Sequence, residues 1–522
     1  MANPLLTDRN VDFVLYEVLD VERLCELPAF AEHSRETFDL YLGAARKLAR
    51  EVLWPAYKPM DEQPPTLEDG SVRVHPSMKQ IWPRLVELGV LTATRPPEVG
   101  GQRMPQAVAI VASAYLMAGN LSACAYAGLT TGAARLIESF GSAALRADLM
   151  EKLYAGEWAG TMALTEPQAG SSLSDACSRA TPTGDGHYLI RGSKVFISGG
   201  DQDVTENVVH LTLARIDGAP PGIKGVSLFA IPKLRSENGR LVPNDAVATG
   251  VFHKSGWRGL PSIALELGER GDCRGWLVGE PHRGISYMFQ MMNDARLMVG
   301  MNGVATAAVA YAEALEYAKH RPQGRPIGQK NPALPQVPII LHADVRRMLL
   351  RQKAIVEGGF LLLACASRWA DLAEHAADAA ERRRAALLLD LITPVAKSFP
   401  AERGFEANAL AVQVHGGYGY TSEFLPEAWL RDQKLNSIHE GTTGMQSLDL
   451  LGRKVVAEGG ESLRLLFDEI AVTSARARAA GVDAELASRL DGSVAALGSV
   501  TLHLAEHGMK GDVDAMLLHS AD

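Results

Sequence analysis

The chain has 522 residues, 47% of them hydrophobic and 22% charged, with a formal net charge of −9. One hydrophobic core does not fill that length, so several domains are expected, and the composition is that of a globular protein rather than a disordered or fibrous one. The negative charge argues against a nucleic-acid partner, and five cysteines without C-x-x-C pairs or metal-ligand spacing fit a reducing compartment and leave no readable metal site. The first twenty residues lack a basic start and an apolar core. The best apolar runs, such as 107–119, fall short of a membrane span, so a cytoplasmic protein without a membrane partner is expected.

In chain order, residues 1–157 read as a helical N-terminal domain. Phe38, Leu42, Ala45 and Ala49 share one helix face, and Met78, Trp82, Leu85 and Leu88 another. A third run, 105–140, is rich in Ala and Gly, with Tyr115 and Tyr126 as core. After Trp158 the period changes to two, giving strands near 161–165, 188–191, 194–198, 208–214, 225–231, 247–254 and 263–267, with Gly184-Asp185-Gly186 as a hairpin signal. No helix intervenes, so 158–283 is expected to be an antiparallel β domain.

From Gly284 the spacing is helical again over 285–320, 339–374 and 382–415, the last interrupted by Pro394 and Pro400. With a helix after Thr443 this predicts a four-helix bundle over 284–452. Arg382-Arg383-Arg384 follows an acidic stretch and reads as a solvated helix face. Arg321 and Arg325 flank or lie in a Pro- and Gly-rich loop, where an arginine can clamp a phosphate. Residues 453–522 form an extra helical segment broken around Gly481 and Gly492; it holds seven Lys/Arg against eleven Asp/Glu, and its last run, 516–522, lacks a C-cap, so the chain is expected to continue. The fold class is α+β, mainly α.

The stretch Asn436–Gln446 carries the chemistry. Thr443 and Gln446 have capping-box spacing, so a helix is expected to start at Thr443 with Glu440 on the loop entering it. A zinc helix is excluded, because the second histidine of H-E-x-x-H would have to stand where Thr443 does. No G-x-G-x-x-G turn, Walker loop or G-x-S-x-G elbow is present, so a bound nucleotide would have to be held without those loops.

Four stretches in order, Met162–Ser171, Lys194–Gly200, Gln413–Tyr420 and Asn436–Gln446, on a helix–sheet–bundle plan, resemble the acyl-CoA dehydrogenase superfamily over 37–454. Phe13–Leu19, Leu27–Ala31 and the wording of 439–444 resemble its 3-methylmercaptopropionyl-CoA dehydrogenase branch, which also holds proteins acting on other short or medium acyl-CoA thioesters. The resemblance implies FAD-dependent oxidation of an acyl-CoA to the 2,3-enoyl-CoA. A carboxylate takes the Cα proton, the Cβ hydride passes to FAD N5, and an electron-transfer flavoprotein is the electron acceptor.

By motif position Glu440 is the base. The other base position used in the family is Ala295 here, beside Arg296, which leaves Asp294 as a structural or polar contact. Arg296 matches the position supporting the CoA side of the substrate. His439 either tunes Glu440 and shapes the acyl pocket or is a packed histidine. For the flavin, Leu164 and Thr165 match ring contacts, Ser198 the hydroxyl near N5, Phe196 an aromatic covering the ring, Ser171 a contact to FAD pyrophosphate or CoA, and Thr442 a contact to the FAD phosphates. Arg321, Gln413 and Gly417 match positions reaching the FAD of a neighbouring subunit, which implies a homodimer or a dimer of dimers. Gln323-Gly324 and Gly444 depart from the common pattern on the adenine side. Two rivals stay open: an oxidase returning electrons to O2, and a non-enzymatic DNA-associated flavoprotein on the same scaffold, which the acidic tail disfavours.

Overall fold

The computed structural model describes residues 3–329, 331–518, 520 and 521; for 290–294 the description covers the backbone only. The N-terminal part is helical: α1 (Asp8–Asp12), α2 (Arg35–Leu48), α3 (Trp54–Glu62), α4 (Ser77–Glu87), α5 (Gln106–Phe140), α6 (Ala143–Leu145) and α7 (Glu151–Tyr154), with a short hairpin of β1 (Thr66–Glu68) and β2 (Ser71–Arg73). A capping box starts α2: Ser34 accepts from the Thr37 amide and its own amide donates to Thr37 Oγ1. Tyr115 and Tyr126 are buried in α5 as expected, their hydroxyls donating to Asp8 and to the Gly259 carbonyl. Contrary to the expectation from 107–119, α5 is long and apolar enough, by length and composition, to cross a membrane. Most of that stretch is buried inside this protein, because α5 packs against α2, α8 and α9 as a central core helix.

Ten strands follow: β3 (Trp158–Ala163), β4 (Arg179–Pro182), β5 (Tyr188–Ser198), β6 (Asn207–Ile216), β7 (Val226–Pro232), β8 (Leu234–Glu237), β9 (Arg240–Pro243), β10 (Ala246–Val251), β11 (Ser262–Leu267) and β12 (Arg274–Leu277). β8 and β9 form a separate hairpin, and the rest build one sheet in the order β10-β11-β5-β12-β7-β6-β3, with β4 against β5 and β6. The antiparallel expectation holds for most pairs and fails at two, since β3 and β4 both run parallel to β6. Turn-based reasoning constrains strands adjacent in sequence, and neither of these pairs is adjacent. The Gly184–Gly186 turn joins β4, a strand the periodicity missed, to β5.

β5 carries one local irregularity. Its partner β11 pairs Ile263 with Ile197 and Leu265 with Lys194, so Val195 and Phe196 together oppose Ala264. This is a bulge, and it holds Phe196 at φ +60 with the residue 62% exposed.

The second helical part has three long helices, α8 (Gly284–His320), α9 (Ala343–His375) and α10 (Ala379–His415), and two short ones, α11 (Pro426–Leu435) and α12 (Thr443–Asp449). The expected interruption of the third helix at Pro394 and Pro400 does not occur. α10 runs unbroken through both, packed against α8 and α9, whose contacts outweigh two missing amides. Beyond it lie α13 (Glu461–Ala479), α14 (Ala484–Met509) and α15 (Val513–Leu518), with the break at Gly481 as expected and Gly492 inside α14 rather than at a break. The arginine run is not simply solvated: Arg383 binds Glu458 and Glu461, and Arg384 binds Glu469, fastening α13 to α10.

Candidate active site

Glu440 and Gly441 occupy consecutive left-handed conformations, φ +53 and +88, on the turn between α11 and α12. For glutamate that backbone costs roughly 1–2 kcal/mol, so neighbours must hold it. Two side chains do. Gln446 Nε2 donates to the carbonyls of Glu440 (3.1 Å) and Gly441 (3.3 Å), and Lys397 Nζ, from α10, donates to Gly441 O at 2.7 Å. The φ favours glycine at 441, and a Cβ there would meet Gln446 Nε2 at 2.6 Å and displace the donor that holds the turn. The helix cap sits one residue before the predicted one: Thr442 Oγ1 accepts from the Met445 amide at 3.3 Å, while Thr443 donates to Glu402.

Burial pushes the Glu440 carboxyl above its ordinary range, against the opposing charges of Lys397 and Arg296. Its carboxylate accepts no hydrogen bond among the described residues, and its amide donates none. Lys397 is fully buried, and burial brings its ammonium down to about 8. His439 Nδ1–H donates to Leu435 O (3.0 Å); burial, with the Lys397 charge, pushes the ring down to about 3, so it is neutral. Its ring meets the Trp257 ring edge-on at 5.3 Å.

Trp257 is pinned by Asp432 of α11, whose Oδ1 accepts from the Trp257 amide (2.5 Å) and whose carbonyl accepts from Nε1 (3.0 Å); Tyr57 of α3 donates to the other carboxylate oxygen at 2.7 Å. Tyr57, Asp432 and Trp257 therefore form the wall behind His439. Sequence reading missed this wall, because three separated segments supply it.

Arg296 is buried, and its Nη1 donates to Asp449 Oδ2 at 2.7 Å; Arg453 binds the other oxygen of Asp449. Ala295 offers no acid, and the Asp294 side chain lies outside the described residues.

On the sheet side, Val195 N donates to Thr165 O (3.0 Å), and Lys194 Nζ donates to Leu164 O, Leu213 O and Glu166 Oε1. The two strand motifs are thus bonded to each other, bringing Leu164 and Thr165 beside Phe196 and Ser198. Phe196 packs on Phe252 at 4.6 Å, and Phe252 and Trp257 belong to the one connection between β10 and β11. Five residues span at most about 18 Å, so this connection brings the exposed ring and the Glu440 turn to the same region. The hydroxyls of Thr165 and Ser198 have no hydrogen-bond partner among the described residues, which leaves them free for a ligand lying along Phe196. A flat, polar-edged ring system such as a flavin fits that wall. Ser171 is exposed on the loop after β3.

Arg321 and Gly417 line a cavity of about 560 Å³ with Tyr317, His415, Gly416 and Tyr418. Gln413 is exposed on the same helix end. His415 is buried, its Nε2 unpartnered, and a Cβ at Gly417 would meet nothing within 4 Å, so the backbone there is open to a polar ligand. Lys397 and His415 are eighteen residues apart on α10, about 27 Å at 1.5 Å per residue, so this cavity is separate from the Glu440 turn. Arg325 is occupied by the Leu334 and Pro332 carbonyls. Among the described residues no group of His, Cys, Asp and Glu could hold a metal.

Residues 36–157 match the family model described as acyl-CoA dehydrogenase, N-terminal domain, and 282–455 the one described as acyl-CoA dehydrogenase, C-terminal domain. The chain is 38% identical over 499 residues to 3-methylmercaptopropionyl-CoA dehydrogenase of Ruegeria pomeroyi, covering 95% of this chain and 84% of the relative. It is 33% identical to a butyryl-CoA dehydrogenase of Syntrophomonas wolfei (90% and 78% covered) and 34% identical to the broad-specificity linear acyl-CoA dehydrogenase of Mycobacterium tuberculosis (88% and 77%). The fold is similar to that of Caenorhabditis elegans ACDH-11 in complex with C11-CoA, with a TM-score of 0.79 at 21% identity, covering 97% of this chain and 85% of that one. The chain belongs to the acyl-CoA dehydrogenase family.

Proposed function

We propose that this chain desaturates a short or medium acyl-CoA between Cα and Cβ with FAD as its cofactor, and that Glu440 takes the Cα proton. The observation that carries this reading is the Glu440 carboxylate itself, held on a left-handed turn with no hydrogen bond among the described residues and raised by burial. An α-proton of a thioester is weakly acidic, and a raised base narrows the gap in proton affinity. The uncommitted Glu440 amide is a donor available to the thioester oxygen as enolate charge develops.

When bound, FAD supplies the acceptor for the Cβ hydride. Leu164 and Thr165 would hold the ring system from the end of β3, Ser198 would donate near N5, and Phe196 would cover a ring face. Ser171 would meet pyrophosphate or CoA, and Thr442 the FAD phosphates through its helix start. Arg296, fixed by Asp449, would present positive charge to the CoA side, and neutral His439 would line the acyl pocket. The cavity at Arg321 and Gly417, with Gln413 beside it, lies too far from Glu440 for the same chain's ring, so it would receive the adenosine end from a neighbouring subunit. This supports a homodimer or a dimer of dimers. The names of the relatives favour 3-methylmercaptopropionyl-CoA or butanoyl-CoA as substrate, and an electron-transfer flavoprotein as electron acceptor goes with this reading.

The test is anaerobic bleaching of bound flavin by a panel of acyl-CoAs that includes these two. Glu440→Gln is expected to slow reduction on the order of 10²–10⁴-fold. Reduction at the wild-type rate in that variant would remove Glu440 as the base, and equal rates across the panel would reject narrow specificity.

A further inference from the structure

Lys397 stands alone in an otherwise uncharged run, 391–401, and is fully buried. A buried ammonium is costly unless a carboxylate meets it. Among the described residues the other two buried lysines follow that rule: Lys194 binds Glu166 and Lys454 binds Asp390. Lys397 instead donates to a backbone carbonyl, Gly441 O, at 2.7 Å, one residue beyond Glu440. As a device for stability this is a poor arrangement. As a device for the turn it does two things, because it tethers the left-handed segment to α10 and sets a positive charge beside a carboxylate that has no other donor.

The charges acting on Lys397 come from three elements: Glu440 on the turn, Glu402 on its own helix, and Arg296 on α8. Arg296 is neutralised in part by Asp449 of α12, and Glu402 is engaged by Thr443. His439, the remaining titratable group on the turn, is neutral. Among the described residues Lys397 is therefore the cation near Glu440 that holds no carboxylate in a hydrogen bond.

We propose that Lys397 is the positioning residue of the Glu440 turn: it fixes the turn through the Gly441 carbonyl, and its charge keeps the Glu440 carboxylate ionised and ready to accept a proton. This rests on Glu440 being the base. Without the lysine charge, desolvation acts on Glu440 with less opposition, so ionisation requires a higher pH. A residue that served packing alone would lower the rate equally at every pH.

The experiment uses the flavin-loaded protein and two variants, Lys397→Met and Lys397→Arg. Flavin reduction by butanoyl-CoA is followed anaerobically from about pH 5 to about pH 9. In Lys397→Met the acid limb of the rate profile is expected to move up by about one pH unit or more. In Lys397→Arg, which keeps the charge, it should stay at the wild-type position even where the plateau rate falls. A direct readout accompanies this without acyl-CoA: the infrared carboxyl band present in wild type and missing in Glu440→Gln should titrate at the same pH as the limb. An acid limb and band unmoved in Lys397→Met overturn the inference. If Lys397→Met does not fold, Lys397→Gln takes its place: an acid limb and infrared band raised by about one pH unit or more support the role, and both unmoved overturn it. Wild-type flavin reduction by Glu440→Gln would instead sink the base assignment, whatever Lys397 does.

Discussion

Two glutamates, each with a buried lysine close by, sit on opposite walls of this molecule and behave in opposite ways. On the sheet, Glu166 meets Lys194 at 2.7 Å and also accepts from the amides of Cys177 (2.6 Å) and Ser178 (3.0 Å) and from Gln168 Nε2. Burial alone would raise its pKa, yet the lysine and the two amides outweigh burial and hold it down at about 2. On the bundle turn, Glu440 has charges nearby but no donor in contact among the described residues, so burial wins and its carboxyl is raised. The same two residue types thus meet as an ion pair in one place, while in the other the lysine bonds to a backbone carbonyl instead. A lysine charge in direct contact with the carboxylate, with amide donors beside it, sets the first apart from the second.

The largest way to break this comparison is Glu166→Gln. It leaves Lys194 buried without its counter-charge, so about 3–5 kcal/mol of stability should be lost, read as a lower midpoint in urea unfolding. Pairing Glu166→Leu with Lys194→Met removes both charges together and should recover much of that loss. Glu440→Gln, by contrast, removes a carboxylate that accepts no hydrogen bond among the described residues. Its unfolding midpoint should equal or exceed the wild-type value while its activity collapses.

The pH dependence of stability separates the two sites next. The folded pKa of Glu166 lies below the ordinary carboxylate value, so its contribution is complete above about pH 4 and is lost as pH falls toward about 2. The folded pKa of Glu440 lies above the ordinary value, so its carboxylate opposes folding at neutral pH, and that opposition fades as acid protonates it. Midpoints measured from about pH 3 to about pH 8 should therefore differ between wild type and Glu166→Gln mainly at the upper end, and should differ for Glu440→Gln in the reverse sense. A smaller effect is expected on the wall behind His439. Trp257→Phe removes the indole donor to the Asp432 carbonyl while leaving the backbone bond, and should cost about 1 kcal/mol in thermal unfolding.

Period-two and period-3.6 patterns were enough to lay out helices, sheet and bundle, because most faces obey one burial rule along each element. The failures came where a long-range partner overrode a local signal. Pro394 and Pro400 stay helical because α8 and α9 hold α10, and β3 lies parallel to β6 because the sheet places strands side by side that are distant in sequence. Glu440 was legible because a motif surrounds it. Lys397, Asp432 and Trp257 were not, since a lone lysine in an apolar run and an aspartate in a short helix become informative only once their partners are known. The cap of α12 was misplaced by one residue because adjacent threonines offer the same hydroxyl, and only the backbone of Thr442 is extended.

That cap gives the smallest effect and a fine comparison within the turn. Thr442 Oγ1 accepts from the Met445 amide, whereas Thr443 donates to an exposed glutamate. Thr442→Ala should lower stability by about 0.5–1 kcal/mol in thermal unfolding, and Thr443→Ala by less. If Thr442 also serves a phosphate at the start of α12, its alanine variant should release flavin more readily on dilution than Thr443→Ala does, and Thr442→Ser, which keeps the oxygen, should restore both stability and flavin retention. Restoration of stability without flavin retention would leave Thr442 as a cap alone.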